Sequence, residues 1–167
     1  GTQTHKWVLE GLFGPSYKII NTKDLQEAGF LARLNIKVLL LRHEGKIFDT
    51  YQDEIEYLIG HQKRNRFIRN LAWDLKGNSL ILYSRVATHG EILYDLINTN
   101  KRKVFFIHGG VDVEEREEVR RITETEENAI IIASFGTFST GINIKNLHNV
   151  IFASPSKSRI RTLQSIG

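Results

Sequence analysis

Gly136-Thr137-Phe138-Ser139-Thr140-Gly141 sets two glycines at the G-x-x-x-x-G spacing of a phosphate-cradling loop, with three hydroxyls between them. A self-sufficient triphosphate site needs Lys and Ser/Thr at the next two positions, because the ammonium neutralises the terminal phosphates and the hydroxyl holds magnesium. Ile142 and Asn143 stand there instead. What remains is either a segment whose glycine amides and hydroxyls suit phosphate oxygens, or a Gly/Ser/Thr turn joining two core elements. His108-Gly109-Gly110 poses the same alternative: backbone brought close to a ligand, or a tight turn ahead of a helix.

Other constellations fail sooner. The histidines, His5, His43, His61, His89, His108 and His148, show neither HxxxH nor HExxH spacing, which argues against zinc. No G-x-S-x-G nucleophile elbow occurs. The absence of cysteine removes thiolate metal sites, thiol nucleophiles and disulfide frameworks. The acids between Asp112 and Glu127 alternate with Arg116, Arg120 and Arg121 and read as a solvated, Arg-paired helix rather than catalytic carboxylates. Lys63, Arg64, Arg66 and Arg69 read as a solvated helix face, and Trp7 and Trp73 as packing residues.

The elements that must hold these loops follow from periodicity. Short apolar runs at Ile36 to Leu41, Ser79 to Tyr83, Val104 to Ile107, Ala129 to Ser134 and Asn149 to Ala153 fit strands buried on both faces. Between them, Thr50 to Leu75 and His89 to Ile97 carry helical spacing of their apolar residues. Asp112 with Glu115 has capping-box spacing and predicts a helix through Val119 and Ile122. A helix start at Asn21 to Asp24, a stop at Gly29 and a helical tail from Ser156 complete the pattern, and the first 35 residues are otherwise less regular. Alternating strands and helices predict an α/β fold, a parallel sheet sandwiched between helices with right-handed crossovers. Ligands of such sheets bind beyond the carboxyl ends of the strands, so the loops after Tyr83, Ile107, Ser134 and Ala153 are the functional candidates.

The chain has 167 residues and 41% hydrophobic content, enough for one compact domain with a real core. Its apolar runs are too short to span a bilayer, no targeting segment opens it, and no membrane partner is expected. The formal charge of +4 is unevenly spread. Residues 112–127 hold eight acids against three arginines, whereas from Ala129 onward there are no acids and four bases, Lys145, Lys157, Arg159 and Arg161. An acid-free, hydroxyl-rich tail suits a polyanion.

Taken in order, these loops resemble the second motor domain of superfamily 2 helicases. Ser79-Leu-Ile-Leu-Tyr-Ser-Arg-Val86 resembles motif IV, Phe106-Ile-His-Gly109 the strand-and-glycine element after it, and Ile131 to Asn143 motif V. Gln164-Ser-Ile-Gly167 resembles the opening of motif VI, Q-x-x-G-R-x-x-R. Within the superfamily the similarity is to UvsW-type bacteriophage helicases, from Asn78 to Gly167 and again from Thr4 to Gly14.

The resemblance implies a RecA-like member of the P-loop NTPase superfold without its own P-loop. It implies an ATP-driven translocase on branched DNA, performing fork regression, branch migration and R-loop unwinding in phage recombination, repair and replication in the host cytoplasm. Residues 1–167 would be the C-terminal RecA-like domain, ending inside motif VI, with 1–35 leading in from the first motor domain. By position, Ser84, Arg85, Gly109, Ser134 and Thr137 would face the DNA backbone. Gly141 and Asn143 would face the nucleotide cleft, and Gln164 would couple that cleft to the DNA path. Many relatives carry Asp where Asn143 stands, so the polar contact carries over without its charge. No Walker A lysine, acidic DExx box or motif VI arginine is present, so ATP and Mg2+ would be used by the full-length enzyme, with neither bound to this chain alone, which would not hydrolyse ATP. The expected partners are branched or single-stranded DNA, bound without sequence preference, and the first RecA-like domain. The same absences are compatible with a stand-alone, non-catalytic nucleic-acid-binding module, or a small-ligand α/β domain using His108 and the Gly136 loop.

Overall fold

The structure, a computed structural model, describes residues 3–17, 19–30, 35–42, 45–99, 102–139, 144 and 146–156. The chain divides into two compact units, residues 1–39 and 40–167. The first unit carries α1 (Gln3–Phe13) and α2 (Thr22–Glu27). α1 is a helix in the segment whose sequence promises little regular structure, and Trp7, expected to pack, is 63% exposed on it. α2 starts and stops where expected: the Asn21 amide donates to the Asp24 carboxylate at 3.2 Å, and Gly29 ends it at φ +79. The Phe30 N–H then reaches back to the Leu25 carbonyl at 2.9 Å, closing the carbonyls that the last turn leaves open.

In the second unit the segment from Thr50 to Leu75 is two helices, not one: α3 (Tyr51–Gly60) and α4 (Gln62–Asp74). His61 causes the break. Its extended backbone ends α3 while its imidazole Nδ1 accepts the Arg64 N–H at 3.2 Å and caps α4, a task usually given to a short polar side chain. Buried Asn65 locks the corner by donating to the Ile59 carbonyl at 2.7 Å.

Four strands follow, β1 (Ser79–Tyr83), β2 (Val104–Ile107), β3 (Ile130–Ser134) and β4 (Asn149–Phe152), all parallel in the order β2-β3-β1-β4. β1 and β3 lie in the middle, and their apolar runs are buried on both faces. Alternate residues feed two cores. Ile81, Tyr83, Ile130 and Ile132 pack with Ile68 and Ala72 of α4 and with Leu93 and Ile97 of α5 (Glu91–Ile97). Leu80, Leu82, Ile131 and Ala133 pack with Val119 of α6 (Val113–Thr125) and with Phe135 of α7 (Phe135–Ser139). Each fully buried Leu or Ile contributes about 1.5–3 kcal/mol, so these central strands dominate the apolar stabilisation. α7 is a single turn within what reads as a loop.

The run from Ile36 to Leu41 is not a strand, and Ile36 is 72% exposed. α6 begins after Asp112 as predicted, but the Asp112 side chain makes no capping bond, and Glu114 and Glu115 meet the helix dipole instead. Arg120 pairs with Glu117 and Glu124, and Arg121 with Glu118, as the Arg-paired reading requires.

The amino rim of the sheet is tied by two side chains. Buried Asn78 donates to the carbonyls of Thr123, Glu126 and Asn146 at 2.7 to 3.0 Å, and accepts the Ala129 N–H at 2.8 Å. Arg102 donates to the carbonyls of Ala72, Leu75, Gly77 and Asn128 at 2.6 to 2.8 Å. Gly77 is required there: its φ is +81, and a Cβ would lie 2.6 Å from the His148 ring.

Candidate functional site

Register fixes what meets at the carboxyl rim. Tyr83 lies opposite Ser134, Leu82 opposite Phe152 and Ile107 opposite Ala133, so Ser84, His108 and Ala153-Ser154 leave the sheet beside Ser134. Four of the residues expected at a DNA backbone, Ser84, Arg85, Gly109 and Ser134, therefore sit at one edge with the loops that bear them, and Thr137 lies one turn on.

At the β1 exit, Ser84 is exposed and its N–H donates to the Ser154 hydroxyl at 3.1 Å. Arg85 reaches Glu56 of α3, Nη1 to Oε1 3.3 Å, and the same oxygen accepts from Gln52 at 2.9 Å. The Gln52 hydrogen bond, and then Arg85, hold the Glu56 carboxyl below its ordinary value. Val86–Gly90 then forms a π-turn closed by Gly90 N–H to the Arg85 carbonyl at 2.9 Å. Gly90 lies so close to the Tyr83 ring that a Cβ would come within 2.6 Å of it.

The π-turn aims His89 inward. It is fully buried, with Nδ1 2.9 Å from the Ser154 hydroxyl, and burial, with Arg64 nearby, pushes its pKa down to about 4. Arg64 of α4 donates through Nη2 to the Ala153 carbonyl at 2.6 Å. Its Nη1 and the His89 Nε2 are buried without a hydrogen-bond partner among the described residues. Arg64 is thus not part of a solvated face, since it clamps the end of β4, whereas Lys63 and Arg66 beside it are exposed. Trp73 packs as expected, donating to the Ile97 carbonyl at 3.2 Å with Arg69 over its ring.

At the β2 exit, His108 Nδ1 accepts the Gly110 N–H at 3.1 Å. A Cβ at Gly110 would crowd that imidazole at 3.1 Å, whereas one at Gly109 would meet nothing within 4 Å. Glycine at 109 therefore leaves backbone bare to solvent without any demand from the chain itself. At the β3 exit, Ser134 Oγ lies 2.7 Å from Thr137 Oγ1 and accepts the Thr137 N–H at 3.2 Å, capping α7. Thr137 is only 4% exposed, so Ser134 is the hydroxyl nearer solvent and Thr137 orients it. Phe135 anchors the turn in the core, stacked on Phe152 at 6.0 Å.

Gly141, Asn143 and Gln164, assigned to a nucleotide cleft, lie outside the described residues, as do the motif VI segment and the tail predicted helical from Ser156, apart from Ser156 itself. Sequence reasoning placed Ser154 in the loop after β4 but missed Arg64, His89 and Glu56 as parts of this rim. The only trace of them is polar residues bordering apolar runs, which carries no partner information.

A rim offering a guanidinium, a hydroxyl and bare glycine backbone suits oxyanions held in a row. The model of the helicase conserved C-terminal domain matches residues 62–167. The ATP-dependent DNA helicase UvsW of Enterobacteria phage T4 is 38% identical over 165 residues, 94% of this chain and 33% of that protein. The chain belongs to the helicase C-terminal domain family. The crystal structure of T4 UvsW matches this helicase domain with a TM-score of 0.63 at 37% identity, over 73% of this chain and 25% of that one. The fold is therefore RecA-like, as the parallel sheet between helices implies. The chain spans about a third of the length of the T4 protein.

Proposed function

We propose that this domain is the second motor domain of an ATP-dependent DNA helicase, and that its carboxyl rim grips the phosphodiester backbone. The observation that carries the reading is the meeting of the Arg85 guanidinium, the Ser134 hydroxyl and the bare Gly109 backbone at one edge of a helicase C-terminal domain. Phosphate oxygens are the same in every sequence, so binding through them is largely independent of sequence and weakens steeply with salt. Residues 1–35 lead in from a first motor domain. The 136–143 segment carries neither a lysine nor an acid, so it does not by itself fit a magnesium triphosphate. ATP and Mg2+ are assigned to a cleft shared with the first motor domain, which Gly141 and Asn143 face from this side and which Gln164 couples to the DNA path.

Two such lobes that close and open hold backbone phosphates with different affinity in the two states, and that difference moves the motor along the strand. The substrate class is branched DNA, with fork regression, branch migration and R-loop unwinding as the activities, in phage recombination, repair and replication in the host cytoplasm. The similarity to a phage DNA helicase supports the phage setting of this reading. In the full-length protein, Arg85→Gln should lower DNA-stimulated ATPase more than basal ATPase. Equal loss of both rates would contradict a DNA-facing Arg85.

A further inference from the structure

The polar groups under the carboxyl rim are a better guide than those on it. Ser84 and Arg85 leave the end of β1 with their side chains outside the core, so their backbone must be held by something else. Two bonds do this. The Arg85 carbonyl accepts Gly90 N–H across the π-turn, and the Ser84 N–H donates to Ser154, which follows β4 and is 3% exposed.

The Ser154 hydroxyl has one proton and two lone pairs. One lone pair takes Ser84 N–H, and the proton needs an acceptor, which His89 Nδ1 supplies at 2.9 Å. That requires the neutral tautomer with its proton on Nε2. A π-turn holds one residue more than an α-turn, and each helical residue advances the side chain by roughly 100°. Deleting that extra residue would turn His89 away from Ser154. Arg64 meanwhile clamps the preceding Ala153 carbonyl, fixing the height of the β4 exit.

We propose that His89 and Ser154 are positioning residues for nucleic-acid binding: together they hold the Ser84-Arg85 backbone in its contact geometry and tie it to the exit of β4. The inference rests on the reading of Arg85 as DNA-facing. A displacement of the chain after β4 reaches the Ser84-Arg85 loop through one hydroxyl, with no side chain of the pair touching DNA. Without the knot, the loop must be ordered by DNA itself, which weakens binding by about three- to tenfold.

The test uses the full-length protein and variants His89→Ala, His89→Asn, Ser154→Ala and the Ala/Ala double, with Arg85→Gln as reference. The DNA concentration giving half-maximal ATPase stimulation is read beside the maximal stimulated rate and the melting temperature. His89→Ala and Ser154→Ala should each raise the half-saturating DNA by about three- to tenfold, with a smaller change in maximal rate, and the double should be no worse than either. Asn places an acceptor where Nδ1 lies, so His89→Asn should restore near-normal DNA dependence. Ser154→Ala removes one atom and carries the test if His89→Ala does not fold. A lower melting temperature with unchanged half-saturating DNA overturns the proposal, as does failure of Asn to rescue. If Arg85→Gln weakens DNA binding while the other variants do not, only the positioning role falls. If Arg85→Gln is silent as well, the DNA-facing reading falls and takes the proposal with it.

Discussion

The two rims of the sheet use polar residues in opposite ways. At the amino rim, Asn78 and Arg102 spend their hydrogen-bonding capacity on backbone groups of four or more segments, and Gly77 is glycine because its backbone and the His148 ring demand it. At the carboxyl rim, Ser84 and Gly109 face solvent, and Arg85 is paired with Glu56 on an exposed helix face. The first arrangement serves the fold and resembles a finished lattice. The second keeps valences in reserve, which is wasteful for stability and useful for a ligand.

The largest expected effect breaks the finished rim. Asn78→Ala removes the bonds to the Thr123 and Asn146 carbonyls and from the Ala129 N–H, and leaves the Glu126 carbonyl only its bond from the Asn146 amide, so urea unfolding should show a loss of about 3–5 kcal/mol. A loss below about 1 kcal/mol would mean that water replaces the side chain and that the amino rim is not specially organised.

The next effect sharpens the carboxyl rim. His89 titrates near 6.5 when unfolded but is held down to about 4 in the fold, by burial and then by Arg64. Between those values the unfolded chain binds a proton that the folded chain refuses. Its stability is intact above pH 6.5 and falls as pH drops toward 4, by at most on the order of 3 kcal/mol. His89→Asn should show a flatter decline between pH 7 and pH 4.5 in the same denaturation series. Parallel slopes for the two proteins would place His89 in contact with water.

The smallest effect concerns the charge on the surface. Glu56→Gln removes an exposed ion pair, and the melting temperature should not change measurably. A clear fall would show that Arg85 is structural and blur the contrast between the rims.

The strands were legible because apolar runs of four to six residues between turn signals fit a sheet covered on both faces, and the four downstream runs form one. Ile36 to Leu41 has the same composition and is exposed: a strand needs a neighbour to pair with, and a run does not reveal whether one is there. The break at His61 was hidden because apolar spacing continues across it, while the cap depends on an imidazole folding back on its own helix. At the site, glycine and hydroxyl loops announced the carboxyl rim. The knot beneath it did not, since Ser84, His89 and Ser154 are joined by bonds across 65 and 70 residues that no local pattern encodes.

Hydrogen–deuterium exchange of the full-length protein, with and without a branched DNA, tests the contrast most directly. DNA should slow exchange in peptides covering 84–86, 108–111 and 134–139, and leave 76–78, 126–129 and 146–149 unchanged. Protection at the second set, or none at the first, would contradict a carboxyl rim that grips nucleic acid.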